Sequence, residues 1–373
     1  MNPLPYLEQV LTGNLIYLYL PLVLAYFISH QLFLILVKVS KGKNLQVPIV
    51  DRSSHSIWCT NLGGVIIYFV ITFSRHLFAA LLLETEQTND SLFLSLSILI
   101  VFFIGLKDDL IEINPYKKIA GQLLAFAMLI LCMDLKIESF GGIFGIQELS
   151  SGVSILVSFL AALFIINSFN LIDGIDGLAA SIALIINLFF GIYFLFFEDY
   201  YHALIAITMI GILLSFLQFN FSTTEKVFMG DSGAFVIALL ITYQFFTFLS
   251  YTDDPAQPQL VGPKILYLIA LFSYPIADTT RVFMVRVRAR KNPFAPDKNH
   301  LHHLLLKNGF THAQATLLLA FLTLSLVLLA YLVSDLPIAL AFSLLTGTLF
   351  GFYYLLPRMI NLPRILLSRP LEK

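Results

Sequence analysis

The amino-acid sequence predicts an all-α, polytopic integral membrane protein with about eleven transmembrane helices, its N-terminus outside and its C-terminus cytoplasmic. Three observations carry this reading. Of the 373 residues, 58% are hydrophobic and only 12% are charged, where a soluble domain carries about 25% charged residues. The apolar residues gather into runs close to the ~20 residues that a spanning helix needs. Lysine and arginine are divided very unevenly between the segments that join those runs.

The spans follow in order. The first, 14–37, is too long for a signal-peptide core and has no small-x-small cleavage site, so it reads as a membrane span. The second, 62–83, is interrupted by Ser74-Arg75-His76 and is expected to end near Thr72, with the rest lying at the interface. The third, 92–107, runs into Lys107-Asp108-Asp109. The fourth, 118–134, is short. Spans follow at 152–171, 177–197, 202–219, 232–250, 263–285, 314–333 and 337–356. The whole chain, 1–373, reads as one membrane-embedded domain.

Eleven spans put the termini on opposite sides. Every lysine and arginine except Arg75, Lys136 and Lys264 falls on one side, in 38–61, 107–118, 220–231, 286–313 and 357–373, or at Arg281 near the inner end of its span. The opposite segments are acidic, with Glu84, Glu86, Asp90, Asp134, Glu138, Glu148, Glu198, Asp199, Asp253 and Asp254. By the positive-inside rule the basic side is cytoplasmic. Net charge is −1, which points to no nucleic-acid partner. Cys59 and Cys132 have neither disulfide density nor metal-ligand spacing and read as packing residues.

Four polar islands lie at the cytoplasmic ends of spans or in cytoplasmic loops. An unpaired charge at membrane depth costs several kcal/mol, so an intramembrane acid reads as functional by default. Asp108-Asp109 closes the third span, with Lys117-Lys118 following. Paired carboxylates can hold a divalent cation, one of them can act as a base, and the lysines can take phosphate oxygens. Asn167, Asn170, Asp173 and Asp176 repeat a three-residue spacing among glycines. If helical, that spacing puts Asp173 and Asp176 on one face; an N-cap role explains only one of the two. Asp231, in Met229-Gly230-Asp231-Ser232-Gly233, reads equally as a helix cap or as a site for phosphate-bearing ligands near a helix N-terminus. His300, His302 and His303 lack partners for a zinc set and, among basic residues, read as phosphate-binding hydrogen-bond donors. The basic run Arg286–Lys291 reads first as a positive-inside anchor, and Asp278 with Arg281 as a structural ion pair.

With these islands placed, the chain resembles the polyprenyl-phosphate N-acetylhexosamine-1-phosphate transferases. Four motifs stand in family order: Arg52-Ser-Ser-His55 to Leu62-Gly-Gly64, Asp108-Asp109, Asn167-x-x-Asn170-Leu-Ile-Asp173-Gly-Ile-Asp176-Gly, and Phe228-Met-Gly-Asp231-Ser-Gly, closed by His300-Leu-His302-His303. The His-x-His-His form after Pro296-Asp297, with eleven spans, is similar to the GlcNAc-1-phosphate branch rather than the peptidoglycan branch. That branch includes enzymes that start lipopolysaccharide O-antigen, enterobacterial common antigen and teichoic acid. Departures are Trp58-Cys-Thr-Asn61 where the family usually has Pro-Thr-Pro-Arg, Ser222-Thr-Thr-Glu225 where it has Pro-Ala, and Lys298 where arginine is common.

The resemblance implies transfer of an N-acetylhexosamine-1-phosphate, GlcNAc-1-phosphate first, from a UDP-N-acetylhexosamine to undecaprenyl phosphate, with release of UMP. It implies a bacterial cytoplasmic (inner) membrane location with the site facing the cytoplasm, and only the resemblance suggests a homodimer. Mg²⁺, with Mn²⁺ as the alternative, is the expected cofactor, ligated by Asp231 with Asp173 and Asp176. Asp108, Asp109 and Asp231 are the expected catalytic set. Lys117, Lys118, Asn167, Asn170, Asp173, Asp176, Asn220, Phe228, His300, His302 and His303 are expected to bind substrate, Phe228 near the uracil. A phospho-aspartate route stays open. The rival readings are a phospho-MurNAc-pentapeptide translocase and, from another class, a transporter or flippase of lipid-linked sugars; the latter predicts inverted repeats, and no repeat is visible.

Overall fold

The computed structural model describes residues 15–43, 59–82, 89–141, 148–251, 263–290 and 299–355. Arg52–His55, Trp58, Lys291 and Pro296–Lys298 lie outside the described residues. Thirteen α-helices make up the described part, and no named strand is found there. They are α1 (Leu15–Lys43), α2 (Gly63–Leu82), α3 (Asn89–Leu110), α4 (Pro115–Ala127), α5 (Ser151–Ile172), α6 (Leu178–Phe196) and α7 (Tyr200–Asn220). After these come α8 (Gly230–Ser250), α9 (Lys264–Leu271), α10 (Ser273–Arg288), α11 (Leu301–Lys307), α12 (His312–Leu332) and α13 (Ile338–Phe350).

Among the described residues ten helical stretches are long and apolar enough to cross a membrane, and α9 with α10, bent by 65°, makes an eleventh when the pair is counted as one span. The expected spans are therefore all present, and one of them is broken. The break has a chemical cause. Pro275 has no N–H to give the Leu271 carbonyl four residues back, and its ring crowds that carbonyl. α4 is carried to full length by a widened turn, Met128–Cys132.

The second span corrects the sequence reading. α2 does not stop near Thr72 but continues to Leu82, because Arg75 is fully buried and its two terminal nitrogens find partners within the bundle. Its guanidinium donates to the Tyr201 hydroxyl at 2.8 Å, the Ser91 hydroxyl at 3.0 Å and the Ser95 hydroxyl. A charged head that finds such partners can stay inside a helix at membrane depth.

Burial grades from the centre outward. α8 is the most enclosed span, packed against α2, α3, α5 and α6, while α7 lies between α1 and α6. α1 and α13 keep most of their surface outside the bundle, as lipid-facing helices do. Local signals set the helix ends. Asn114 caps α4 by accepting the Tyr116 N–H, with Pro115 at the first position. Thr311 and Gln314 form a reciprocal capping box on α12. As a result the C-terminal ends of α3 and α5 and the N-terminal ends of α4 and α8 meet at one end of the bundle. Asp199, His202, Tyr243 and Arg75 occupy the other end, where His202 bridges Asp199 and the Tyr243 hydroxyl.

Candidate active site

Backbone contact between the second and eighth helices builds the floor of the site. The Gly63 N–H donates to the Phe228 carbonyl at 3.1 Å and the Gly64 N–H to the Met229 carbonyl at 2.8 Å. The Phe228 N–H returns to the Thr60 carbonyl at 2.7 Å, beside a parallel bridge between Thr60 and Val227. Side chains would prevent this approach: a Cβ on Gly64 would lie 2.2 Å from the Gly233 nitrogen, and one on Gly105 of α3 would lie 2.5 Å from the Ser232 Cα. Close approach is what glycine is used for.

Onto that floor α3 brings two carboxylates pointing different ways, as adjacent helical positions about 100° apart must. Asp109 accepts the backbone N–H groups of Asp231 at 2.7 Å and Ser232 at 3.0 Å, and the Ser232 hydroxyl at 2.6 Å. It thus caps α8 from another helix, satisfying N–H groups that a helix N-terminus leaves open. The cap role considered for Asp231 belongs to Asp109, and the Asp231 side chain is left to face the site. Asn61 donates to the Asp109 carbonyl at 3.0 Å and steadies this corner.

Asp108 accepts the Ile113 N–H at 2.9 Å and the Lys118 ammonium at 2.7 Å. The same ammonium lies 2.7 Å from Asp231 Oδ2 and 5.5 Å from the Phe235 ring centroid. Asn170 donates to Asp231 Oδ1 at 2.9 Å. Asp108, Lys118, Asn170 and Asp231, from four helices, are therefore in direct contact. Lys117 is not among them; it is exposed, because its position on α4 points away from Lys118. Asn167 lies behind, donating to Gln122 Oε1 at 3.1 Å and to the Leu163 carbonyl. The Gln122 Nε2 is buried and has no partner among the described residues.

Asp173 and Asp176 do not share a helical face. α5 ends at Ile172 with Asp173 as its C-cap, α6 starts at Leu178, and the two acids sit on the turn between, where Gly177 adopts φ +75°. Burial, then the charges of Asp231, Asp109 and Asp176, pushes the Asp173 carboxyl well above the ordinary carboxylate range. Burial also acts to raise Asp176, but His312 and Lys226 outweigh it and hold that carboxyl low. Asn220 accepts the Gly177 N–H at 2.5 Å and donates to the Val227 carbonyl, tying this turn to the loop that carries half-buried Phe228.

The three histidines are placed differently from one another. His300 pairs with Asp278 at 2.9 Å, and Asp278 also takes Arg281 and the Leu301 N–H, which anchors the start of α11. The expected Asp278–Arg281 ion pair is present and includes His300 as a third member. His302 is fully buried, with Nδ1 2.8 Å from the Tyr274 hydroxyl and an unpartnered Nε2 packed on Gly174. Burial pushes its imidazole down to about 3, against the pull of Asp278. His303 is half-buried beside it.

The donor set suits Mg²⁺, which takes one or two carboxylates and completes its shell with water and substrate phosphates. An ammonium already bridges Asp108 and Asp231, so a cation has a place among these acids. Among the described residues no three acidic, histidine or cysteine side chains converge as a ready-made cage. Sequence reasoning missed Lys226, His312 and the cap function of Asp109. Lys226 sits two residues before Phe228, which was a usable signal; His312 lies 136 residues from Asp176, and no local pattern connects them.

Residues 91–249 match the family model described as glycosyl transferase family 4. A decaprenyl-phosphate N-acetylglucosaminephosphotransferase of Mycolicibacterium smegmatis is 33% identical over 236 residues, 59% of this chain and 57% of that protein. An undecaprenyl-phosphate alpha-N-acetylglucosaminyl 1-phosphate transferase of Escherichia coli K12 is 29% identical over 310 residues, 82% of this chain and 80% of that protein.

Proposed function

We propose, because residues 91–249 match the glycosyl transferase family 4 model, that this multi-pass membrane protein moves N-acetylglucosamine-1-phosphate from UDP-N-acetylglucosamine to a polyprenyl phosphate, undecaprenyl phosphate first, releasing UMP. A lipid-phosphate oxygen attacks the β-phosphorus of the nucleotide sugar. The bond from that phosphorus to the bridging oxygen breaks, and UMP leaves with the oxygen. The observation that carries this reading is Lys118 bridging Asp108 and Asp231 at 2.7 Å each, at the end of the bundle where four helices meet.

The residues divide the task by what they touch. Attack of one phosphate on another brings anions together, so positive charge must be supplied locally. Lys118 is held half-buried between two acids and can shift onto an entering phosphate while keeping one of them. Asp108 orients the lipid phosphate and can take its proton. Asp109 fixes the N-terminus of α8, and with it Asp231, and acts through position. Asp231 and Asp173 would hold Mg²⁺, or Mn²⁺ in its place; Asp176 is engaged by Lys226 and His312. When bound, the metal would polarise the β-phosphate and offset charge on the departing UMP. His302 is neutral across the physiological range and offers hydrogen bonding without charge. Phe228 supplies an aromatic face for the base. The positive-inside asymmetry supports a cytoplasmic membrane location with this end facing the cytoplasm.

The bent helix pair is a feature also found in transporters, whose discontinuous helices frame midplane sites. Here the acids lie at span ends. The deciding experiment is UMP release by detergent-purified protein given UDP-N-acetylglucosamine and undecaprenyl phosphate. Release that needs both lipid and Mg²⁺, stops with EDTA and is lost in Asp231→Asn is expected. Folded protein that releases no UMP from any UDP-N-acetylhexosamine would return the transporter reading.

A further inference from the structure

We infer that Lys226 and His312 are positioning residues for the nucleotide-sugar half of the site, acting through Asp176; this rests on the reaction proposed above. The turn 173–177 carries two acids in opposite surroundings. Among the described residues nothing donates a hydrogen bond to the Asp173 carboxylate. The Asp176 carboxylate, by contrast, is engaged by two basic groups. His312 Nδ1 lies 3.2 Å from the Asp176 backbone nitrogen, and the Asp176 carbonyl accepts the Thr316 hydroxyl at 2.8 Å. Its Oδ2 lies 2.6 Å from the Lys226 ammonium and 2.9 Å from His312 Nδ1.

These contacts do more than neutralise one acid. His312 and Thr316 belong to the first two turns of α12, a span beyond the segment that matches the family model. Lys226 belongs to the loop before α8, is 8% exposed, and holds its ammonium 5.6 Å from the centroid of Phe228. Asp176 is therefore the point where α12, the Phe228 loop and the 173–177 turn are joined. A buried ammonium is tolerated only while its carboxylate stays opposite it, so the three elements move together or not at all. Asp173 rides on the same turn three residues earlier. Releasing Asp176 therefore shifts Asp173 relative to Asp231 and Phe228 relative to both. It leaves Asp108 and Lys118 untouched, since those are set by α3, α4 and the capped start of α8.

That geometry predicts a split between the two substrates. Lys226→Met and His312→Ala, in the full-length purified protein, are expected to raise KM for UDP-N-acetylglucosamine about tenfold while KM for undecaprenyl phosphate stays within about twofold. Lys226→Arg keeps the charge over Asp176 and is expected to recover most of the loss. Thermal unfolding is followed in parallel. Variants that melt like wild type yet keep the wild-type KM for the nucleotide sugar overturn the inference. So do variants in which both KM values rise together as the melting temperature falls, since that pattern belongs to a general structural role. Wild-type protein that releases no UMP overturns the reaction itself and this inference with it; wild-type turnover with unchanged KM values in the variants overturns the inference alone.

Discussion

Asp109 of α3 caps a helix to which it does not belong: its Oδ2 accepts the Ser232 hydroxyl of α8 at 2.6 Å while its two oxygens take the first N–H groups of that helix. Its neighbour Asp108 turns to Lys118 instead. Two adjacent acids thus have separable tasks. Asp109→Ala is expected to lower stability by about 1–2 kcal/mol, the range for loss of a strong cap, and to reduce turnover through misplacement of Asp231. Asp108→Asn should abolish turnover with a smaller shift in melting. Thermal unfolding and UMP release measured on both proteins check this; the reverse order would contradict the capping role.

The glycines under the site make a stability prediction. Gly64→Ala and Gly105→Ala force a methyl against backbone atoms at 2.2–2.5 Å. Backbone cannot yield as a flexible side chain does, so each is expected to cost more than about 2 kcal/mol. Gly347→Ala in α13 meets nothing within 4 Å and should be neutral or stabilising by about 0.5–1 kcal/mol. Yield of monodisperse protein and melting temperature decide between these outcomes.

The buried His302 predicts a pH dependence. Its folded pKa, about 3, lies below the unfolded value of about 6.5. Between those values the unfolded chain binds a proton that the folded chain refuses, so stability rises with pH. The contribution is complete above about 6.5 and is lost progressively as pH falls toward 3. Melting temperature should therefore fall on acidification from pH 7 to 5, and by less in His302→Gln. Parallel curves for the two proteins would exclude this origin.

The proposed orientation is tested by labelling. In a Cys132→Ser background, Ser139→Cys lies exposed at the end of the bundle away from the aspartates, and Glu112→Cys lies exposed at theirs. A membrane-impermeant maleimide is expected to label the first in intact cells and the second only after permeabilisation. Labelling in the opposite order would invert the topology.

Much of the site was legible because its chemistry is local in the chain. Asp108-Asp109, the spaced Asn and Asp residues and Asp231 each stand out as polar groups at the edge of an apolar run. Their direction of facing was not legible. The same adjacent pair supports either two catalytic acids or one acid and one cap, and the same Asp173–Asp176 spacing supports either a helical face or a turn. The second span shows the same limit: Arg75 read as an interruption, although Ser91, Ser95 and Tyr201 from other helices accept hydrogen bonds from its terminal nitrogens within the bundle.

By itself the sequence determined the membrane class, the location of the spans though not every end of them, and which islands of polar chemistry exist. It did so because hydrocarbon imposes a length and a composition that every spanning helix must meet alone. Only the tertiary structure decided that Lys118 bridges Asp108 and Asp231, that Asp109 serves as a cap, and that Lys226 and His312 hold Asp176. Those relationships join residues from 10 to 136 positions apart, and no periodicity within one helix encodes which face of another it will meet.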